Sequence, residues 1–106
     1  MPEIVLLLAE CANEAEAKRI ARALVRGRFA ACVNVYPRIH SVYRWKGAVE
    51  EAREAAIIVK TSKAKARTAA EKIAELHSYE TPAVILLKAQ AAGKAAAWLK
   101  ENLQNP

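Results

Sequence analysis

An unbroken apolar run, Ile4 to Ala9, has the length of a strand and no polar face, so it reads as a central strand buried on both sides. Asn13 follows with Glu16 three residues on, the pattern of a capping box. Ala17, Ile20, Ala21 and Leu24 then recur at helical spacing as a core-facing stripe. Arg19, Arg22 and Arg26 lie off that stripe, and Gly27 stands where a helix cap belongs. Ala30 to Tyr36 reads as a strand that Ile39 to Trp45 continues, with Pro37 demanding a bulge, bend or edge position between them. Lys46-Gly47 is a tight-turn signal.

Ala48 to Ala56 is the ambiguous stretch, because its residues taken alone favour helix. Ile57 to Thr61 is strand again. Ser62 caps a second helix whose buried stripe is Ala66, Ala69, Ala70, Ile73 and Leu76, and Pro82 forbids its continuation. Ala83 to Leu87 is another apolar strand, and Gly93 precedes a last amphipathic helix holding Trp98, Leu99 and Leu103. If the ambiguous piece is a strand, the order is βαββαβ plus a helix: an α+β, ferredoxin-like antiparallel sheet with two helices on one face.

The chain of 106 residues is one domain's worth, taken as 1–106. It is 54% hydrophobic, but much of that is alanine, so a core this light gains from burial against partner subunits. Lysine and arginine number 17 against 11 acids, a formal +6 that raises the question of nucleic acid. The basic residues are spread over several elements, however, and the inner strands lack stacking aromatics, so solvated helix faces explain them better. Cys11 and Cys32 make no disulfide framework. Met1-Pro2-Glu3 has no positive leader, and Ile4 to Ala9 is too short for a signal core or a membrane span. A cytoplasmic protein with reduced thiols and no membrane association is the expectation.

Four local patterns then align: Ala30-Ala31-Cys32-Val33-Asn34, Tyr43-Arg44-Trp45-Lys46-Gly47, Lys60-Thr61 after an aliphatic strand, and His77-x-Tyr79-Glu80-x-Pro82. Together they resemble the CutA divalent-cation-tolerance family from the first strand to about Lys88. The resemblance implies that Val49 to Thr61 is a long strand folded back on Ala30 to Trp45 across Lys46-Gly47, a long central hairpin. An arm of about 15 residues spans roughly 50 Å, whereas a compact domain of this size is about 34 Å across. The hairpin therefore overhangs its own domain, and its exposed edges need cover. Homotrimerisation, which the resemblance implies, supplies it. Two departures from the family pattern are Ser78, where proline is usual, and Ala95-Ala96-Ala97-Trp98, where a tyrosine-leucine pair is usual.

Metal binding gives that family its name, so ligands are sought first. Cys11, His77 and Glu80 form the candidate metal set, with His40 a lesser candidate. If the first and last strands are antiparallel neighbours, the end of the first lies beside the segment from His77 to Glu80. Thiolate, imidazole and carboxylate there would suit Cu or Zn, neither being required for folding. The competing reading makes Cys11 a small loop residue and His77 a cation at a helix C-terminus. Relatives that bind copper carry a cysteine matching Ala9 and a histidine pair matching Leu76-His77, of which only His77 is present.

A second candidate is an inter-subunit cleft of Tyr43, Trp45, Lys60 and Tyr79, with His77 and Glu80 beside it. Parallel pairing of the first and third strands would bring Lys60 there, and Tyr43 and Trp45 would come from a neighbouring subunit. Such a cleft suits a small anionic ligand; alternatively its groups simply fasten the trimer. No hydrolase elbow, P-loop or dinucleotide fingerprint is present, so no enzyme is expected. The resemblance implies a non-enzymatic trimer serving divalent metal ion (copper) tolerance. The alternative is a small-ligand sensor like the trimeric PII signalling proteins, an analogy of fold alone.

Overall fold

The computed structural model describes residues 2–104. Its elements run β1 (Glu3–Cys11), α1 (Glu14–Arg26), β2 (Cys32–Trp45), β3 (Ala48–Thr61), α2 (Lys63–Leu76), β4 (Val84–Gln90) and α3 (Gly93–Leu103). The strands form one antiparallel sheet in the order β2-β3-β1-β4. This is the ferredoxin-like α+β arrangement with its extra C-terminal helix. Ala48 to Ala56 is strand throughout, because pairing with β2 along its whole length outweighs the helix preference of its residues.

One expectation fails. β1 and β3 pair antiparallel, with Leu6 opposite Lys60 and Cys11 opposite Ala55. The crossover through α1 makes β1 and β2 run the same way, and a tight hairpin reverses β3 against both. Lys60 is thus held at the start of β1, the end of the sheet away from Cys11.

Alternation along the strands sorts two faces. Val5, Leu7, Ala9 and Cys11 of β1, with Ala55, Ile57 and Val59 of β3, are buried under the stripes of α1 (Ala17, Ile20, Leu24) and α2 (Ala66, Ala69, Ile73). Leu7, Ile20, Leu24, Ile57 and Ile73 are each fully buried, worth about 1.5–3 kcal/mol apiece. On the opposite face α3 covers one corner, where Leu99 and Leu103 pack with Ala31 and Ile4. Trp98, assigned by pattern to the same stripe, is exposed.

The caps follow the sequence. Asn13 Oδ1 accepts from Glu16 N at 2.9 Å, and Ser62 Oγ accepts from Lys65 N at 3.3 Å. At the end of α1 the left-handed residue is Arg28 (φ 60°), not Gly27. Gly27 is required for room instead, since a Cβ there would stand 2.6 Å from the Phe29 ring. Pro37 lies within a bulge of the edge strand β2, where the register slips by one residue between Tyr36 and Ile39. The hairpin closes at Lys46 (φ 48°) and Gly47 (φ 81°), two successive positive φ angles that make a type I′ turn.

β1 pairs with β3 only from Ala55 to Thr61, so the outer half of β3 pairs with β2 alone. The hairpin sets the long dimension of the molecule, 44 Å against 25 and 21 Å. Val42, Tyr43, Trp45 and Val49 are exposed along this arm.

Candidate functional site

Three metal-capable side chains converge where β1 ends. Cys11 is the last residue of β1 and fully buried, rather than a loop residue beyond it. Glu16 comes from the first turn of α1, and His77 immediately follows α2. Their donor atoms lie within 4.8 Å of one another.

Glu16 and His77 are engaged in hydrogen bonds. Glu16 Oε2 accepts from Ala12 N and Oε1 from Ser78 N, both at 2.7 Å, so the capping-box glutamate also ties down the loop after α2. His77 Nδ1 accepts from Tyr79 N at 3.0 Å. That bond places the proton of the neutral ring on Nε2, which donates to Glu10 O at 2.6 Å. Burial would raise the Glu16 carboxyl, but the hydrogen bonds from Ser78 and Ala12 hold it below the usual range. Cys11 is pushed up to about 11, first by burial and then by the charges of Glu16, Glu10 and Glu54.

As donor chemistry, a thiol, an imidazole and a carboxylate fit a soft or borderline divalent ion. As arranged, a thiol proton must leave and a histidine hydrogen bond must open before an ion can be held. Glu80, assigned to this set from sequence, faces the neighbouring cleft instead. His40 pairs with Glu51 on the exposed hairpin, 2.6 Å away. Glu16 takes the third place. Its signal was present: a capping box directly after a strand folds its glutamate back over the strand's last residue.

Beside this cluster a cleft of about 770 Å³ opens between the outer hairpin and the loop at 77–83. Tyr43, Trp45, Tyr79 and Glu80 line it together with Glu10, Ser41 and Glu54. Tyr43 and Trp45 therefore reach the loop of their own chain, whereas the expectation brought them there from a neighbouring subunit. Lys60 does not line it, because the antiparallel register carries it to the other end of β1. The tyrosine hydroxyl of Tyr79 donates to Glu54 Oε2, and burial followed by that carboxylate raises its pKa well above the phenol range. The cleft's charged groups are thus three glutamates, the reverse of the sign expected with Lys60 present. Glu10 and Glu54 were missed because their facing depends on register, that of Glu10 on the pairing of β1 with β3 and that of Glu54 on the slip at the β2 bulge.

Cys32 is half-buried on the edge strand β2. Among the described residues no helix is long and apolar enough to cross a membrane.

The family profile described as CutA1 divalent ion tolerance protein matches residues 5–102. The Divalent-cation tolerance protein CutA of Thermus thermophilus is 39% identical over 103 residues, covering 96% of this chain and 98% of its own length. Protein CutA of Mus musculus is 46% identical over 77 residues, 73% of this chain but 44% of that protein. The chain thus spans about half or less of the length of the vertebrate relatives it matches, 51% for the Xenopus laevis homologue. Among solved structures, divalent ion tolerance protein CutA1 from Ehrlichia chaffeensis superposes with a TM-score of 0.91 at 32% identity, covering 99% of both chains.

Proposed function

The chain belongs to the CutA1 divalent ion tolerance family, and from that membership we propose that it serves divalent-cation tolerance as a non-enzymatic homotrimer. In this reading it takes up a soft divalent ion, copper or zinc, weakly at Cys11, Glu16 and His77. The observation that carries the metal part is the convergence of those three donors within 4.8 Å. Weakness follows from the bonds already made: the ion displaces the Cys11 proton and one partner of His77, so affinity rises with pH. Glu16 then offers one oxygen while the other keeps its backbone amide. A cytoplasmic setting, where both thiols stay reduced, is part of the same proposal.

Support for the trimer comes from the sheet face opposite α1 and α2. Ile85 (59% exposed), Leu87 and Tyr36 stand there with half-buried Leu6, Leu8 and Ile58, and α3 leaves most of them open. An apolar face of this kind, continuous with an overhanging hairpin, favours association with further copies.

Titration with Cu(II), Cu(I) and Zn(II) tests the metal part by comparing the native protein with Cys11→Ala and His77→Ala. Both variants should bind more weakly, and unchanged affinity in both removes the site. Sedimentation equilibrium tests the assembly: a trimer is expected, with Ile85→Arg shifted toward monomer. A native monomer at micromolar concentration ends that part of the reading.

A second reading, a small-ligand sensor, is favoured by one observation, the aromatic-walled cleft beside the metal candidate. A tryptophan-fluorescence response to a small ligand that survives a chelator supports it over the first.

A further inference from the structure

The outer side of α1 and α2 faces away from the sheet surface and hairpin assigned above to further copies, and its charges are sorted along it. Exposed Glu14, Lys18, Arg22 and Arg26 follow at every fourth residue of α1, and exposed Lys63, Arg67, Glu71 and Glu75 do so on α2. The helices run antiparallel. Arg19 Nη1 in α1 donates to Leu76 O at the end of α2 at 3.4 Å, and Lys65 Nζ near the start of α2 donates to Arg28 O just past α1 at 2.8 Å. The acids therefore gather at one end of the layer and the unmatched bases at the other.

Every acid of the two helices is engaged within them: Glu14 by Lys18, Glu16 by Arg19, Glu71 by Arg67 and Glu75 by Lys72. Among the described residues, Arg22, Arg26 and Lys63 have no carboxylate partner, and Lys65 and Arg28 meet only the backbone carbonyls of Arg28 and Asn102. No acidic residue occurs from Ala17 to Val49 or from Ala55 to Ala70, the two stretches that meet at this end. Lys18, Arg22 and Arg26 repel one another along their row. Lys63 and Lys65 occupy the first turn of α2, where the helix dipole favours acids. Two local rules are thus broken in one place with no internal compensation, the mark of a surface shaped for something outside the chain.

Carboxylate is the anion these rows already take, in Lys18–Glu14 at 2.6 Å and Arg67–Glu71 at 3.6 Å. The next two positions of the α1 row lack theirs. Successive positions lie about 5–6 Å apart, close to the spacing of alternate residues in an extended chain, about 6.6–6.8 Å. Neither helix carries an aromatic ring on which a base could stack. Val25 is the only exposed large apolar residue on the two helices, too little to seat in a lipid surface. We propose that the basic end of the helix layer, centred on Arg22 and Arg26 with Lys63 and Lys65 at its margin, docks an extended acidic segment of another protein. The inference is independent of both the metal site and the cleft.

Fluorescence anisotropy of dye-labelled decaglutamate, titrated with the full-length protein at low salt, tests it. Saturable binding is expected, weakening as salt is raised. Arg22→Gln combined with Arg26→Gln should weaken it about tenfold. Lys94→Gln combined with Lys100→Gln removes the same charge from α3, on the opposite face, and should leave affinity unchanged. All four positions are exposed, so circular dichroism should show both variants folded. Equal losses in the two variants overturn the proposal, because net charge alone would then account for binding. So does the absence of saturable binding, which leaves a merely solvated face. Tighter binding of inorganic polyphosphate or duplex DNA than of the glutamate peptide also overturns it, in favour of a phosphate partner.

Discussion

The phenol of Tyr79 donates a 2.5 Å hydrogen bond to Glu54 Oε2, joining the loop after α2 to the middle of β3. Glu54 is only 8% exposed, so its charge depends on the donors it finds inside the protein. Tyr79→Phe keeps the ring and removes the donor. A loss of about 1.5–3 kcal/mol is expected, in the range of hydrogen bonds to charged groups. Urea unfolding at fixed protein concentration measures it, and an unchanged midpoint would deny the link its structural role.

Glu16 and Cys11 set opposite pH limits. The folded Glu16 carboxyl lies below its unfolded value, so its contribution is complete above the ordinary carboxylate range and lost as pH falls through the lowered value. Cys11 is raised to about 11, so the folded state holds its proton longer than the unfolded chain does. Its contribution is complete below the ordinary thiol value and lost as pH climbs from there toward the folded one. Melting temperature against pH should therefore droop at both ends. Glu16→Gln flattens the acid limb alone, and Cys11→Ala the alkaline limb alone.

The hairpin turn offers a test free of packing effects, because nothing lies within 4 Å of a Cβ built on Gly47. Its φ of 81° still penalises any side chain, and Gly47→Ala should cost about 1–2 kcal/mol. Lys46, at φ 48°, occupies the position where a type I′ turn prefers asparagine. Lys46→Asn is expected to raise the unfolding midpoint slightly. Equal effects of either sign from both changes would contradict the turn type.

Leu7 lies fully buried on the helix-covered face of β1. Leu7→Ala should cost about 2–5 kcal/mol by lost transfer energy and the cavity left behind. Leu6→Ala, on the other face and half-buried, should cost clearly less in a dissociated chain and more in an assembled one. Unfolding followed across protein concentration separates the two.

Local signals carried most of the fold. The apolar run of β1, the Asn13 and Ser62 caps and the bulge demanded by Pro37 are each written in a few adjacent residues. Ala48 to Ala56 was different, since its alanines and glutamates favour helix and only distant partners hold it extended. The site suffered more, because it depends on register. A parallel pairing of β1 with β3 brought Lys60 to the cleft; the antiparallel register removes it and leaves Glu10 and Glu54 there. Glu16 escaped notice because a capping role already accounted for it.

A strand whose outer half answers only to its sequence neighbour has a kinetic consequence. The span from Ile39 to Glu54 closes over short loops, beginning at the Lys46-Gly47 corner, whereas β1 must cross the chain to reach Ala55 to Thr61. Zippering outward from that corner should precede β1 docking, so changes at the corner slow refolding while changes in β1 chiefly hasten unfolding. The arm that later needs covering would thus be the first part of the molecule to take shape.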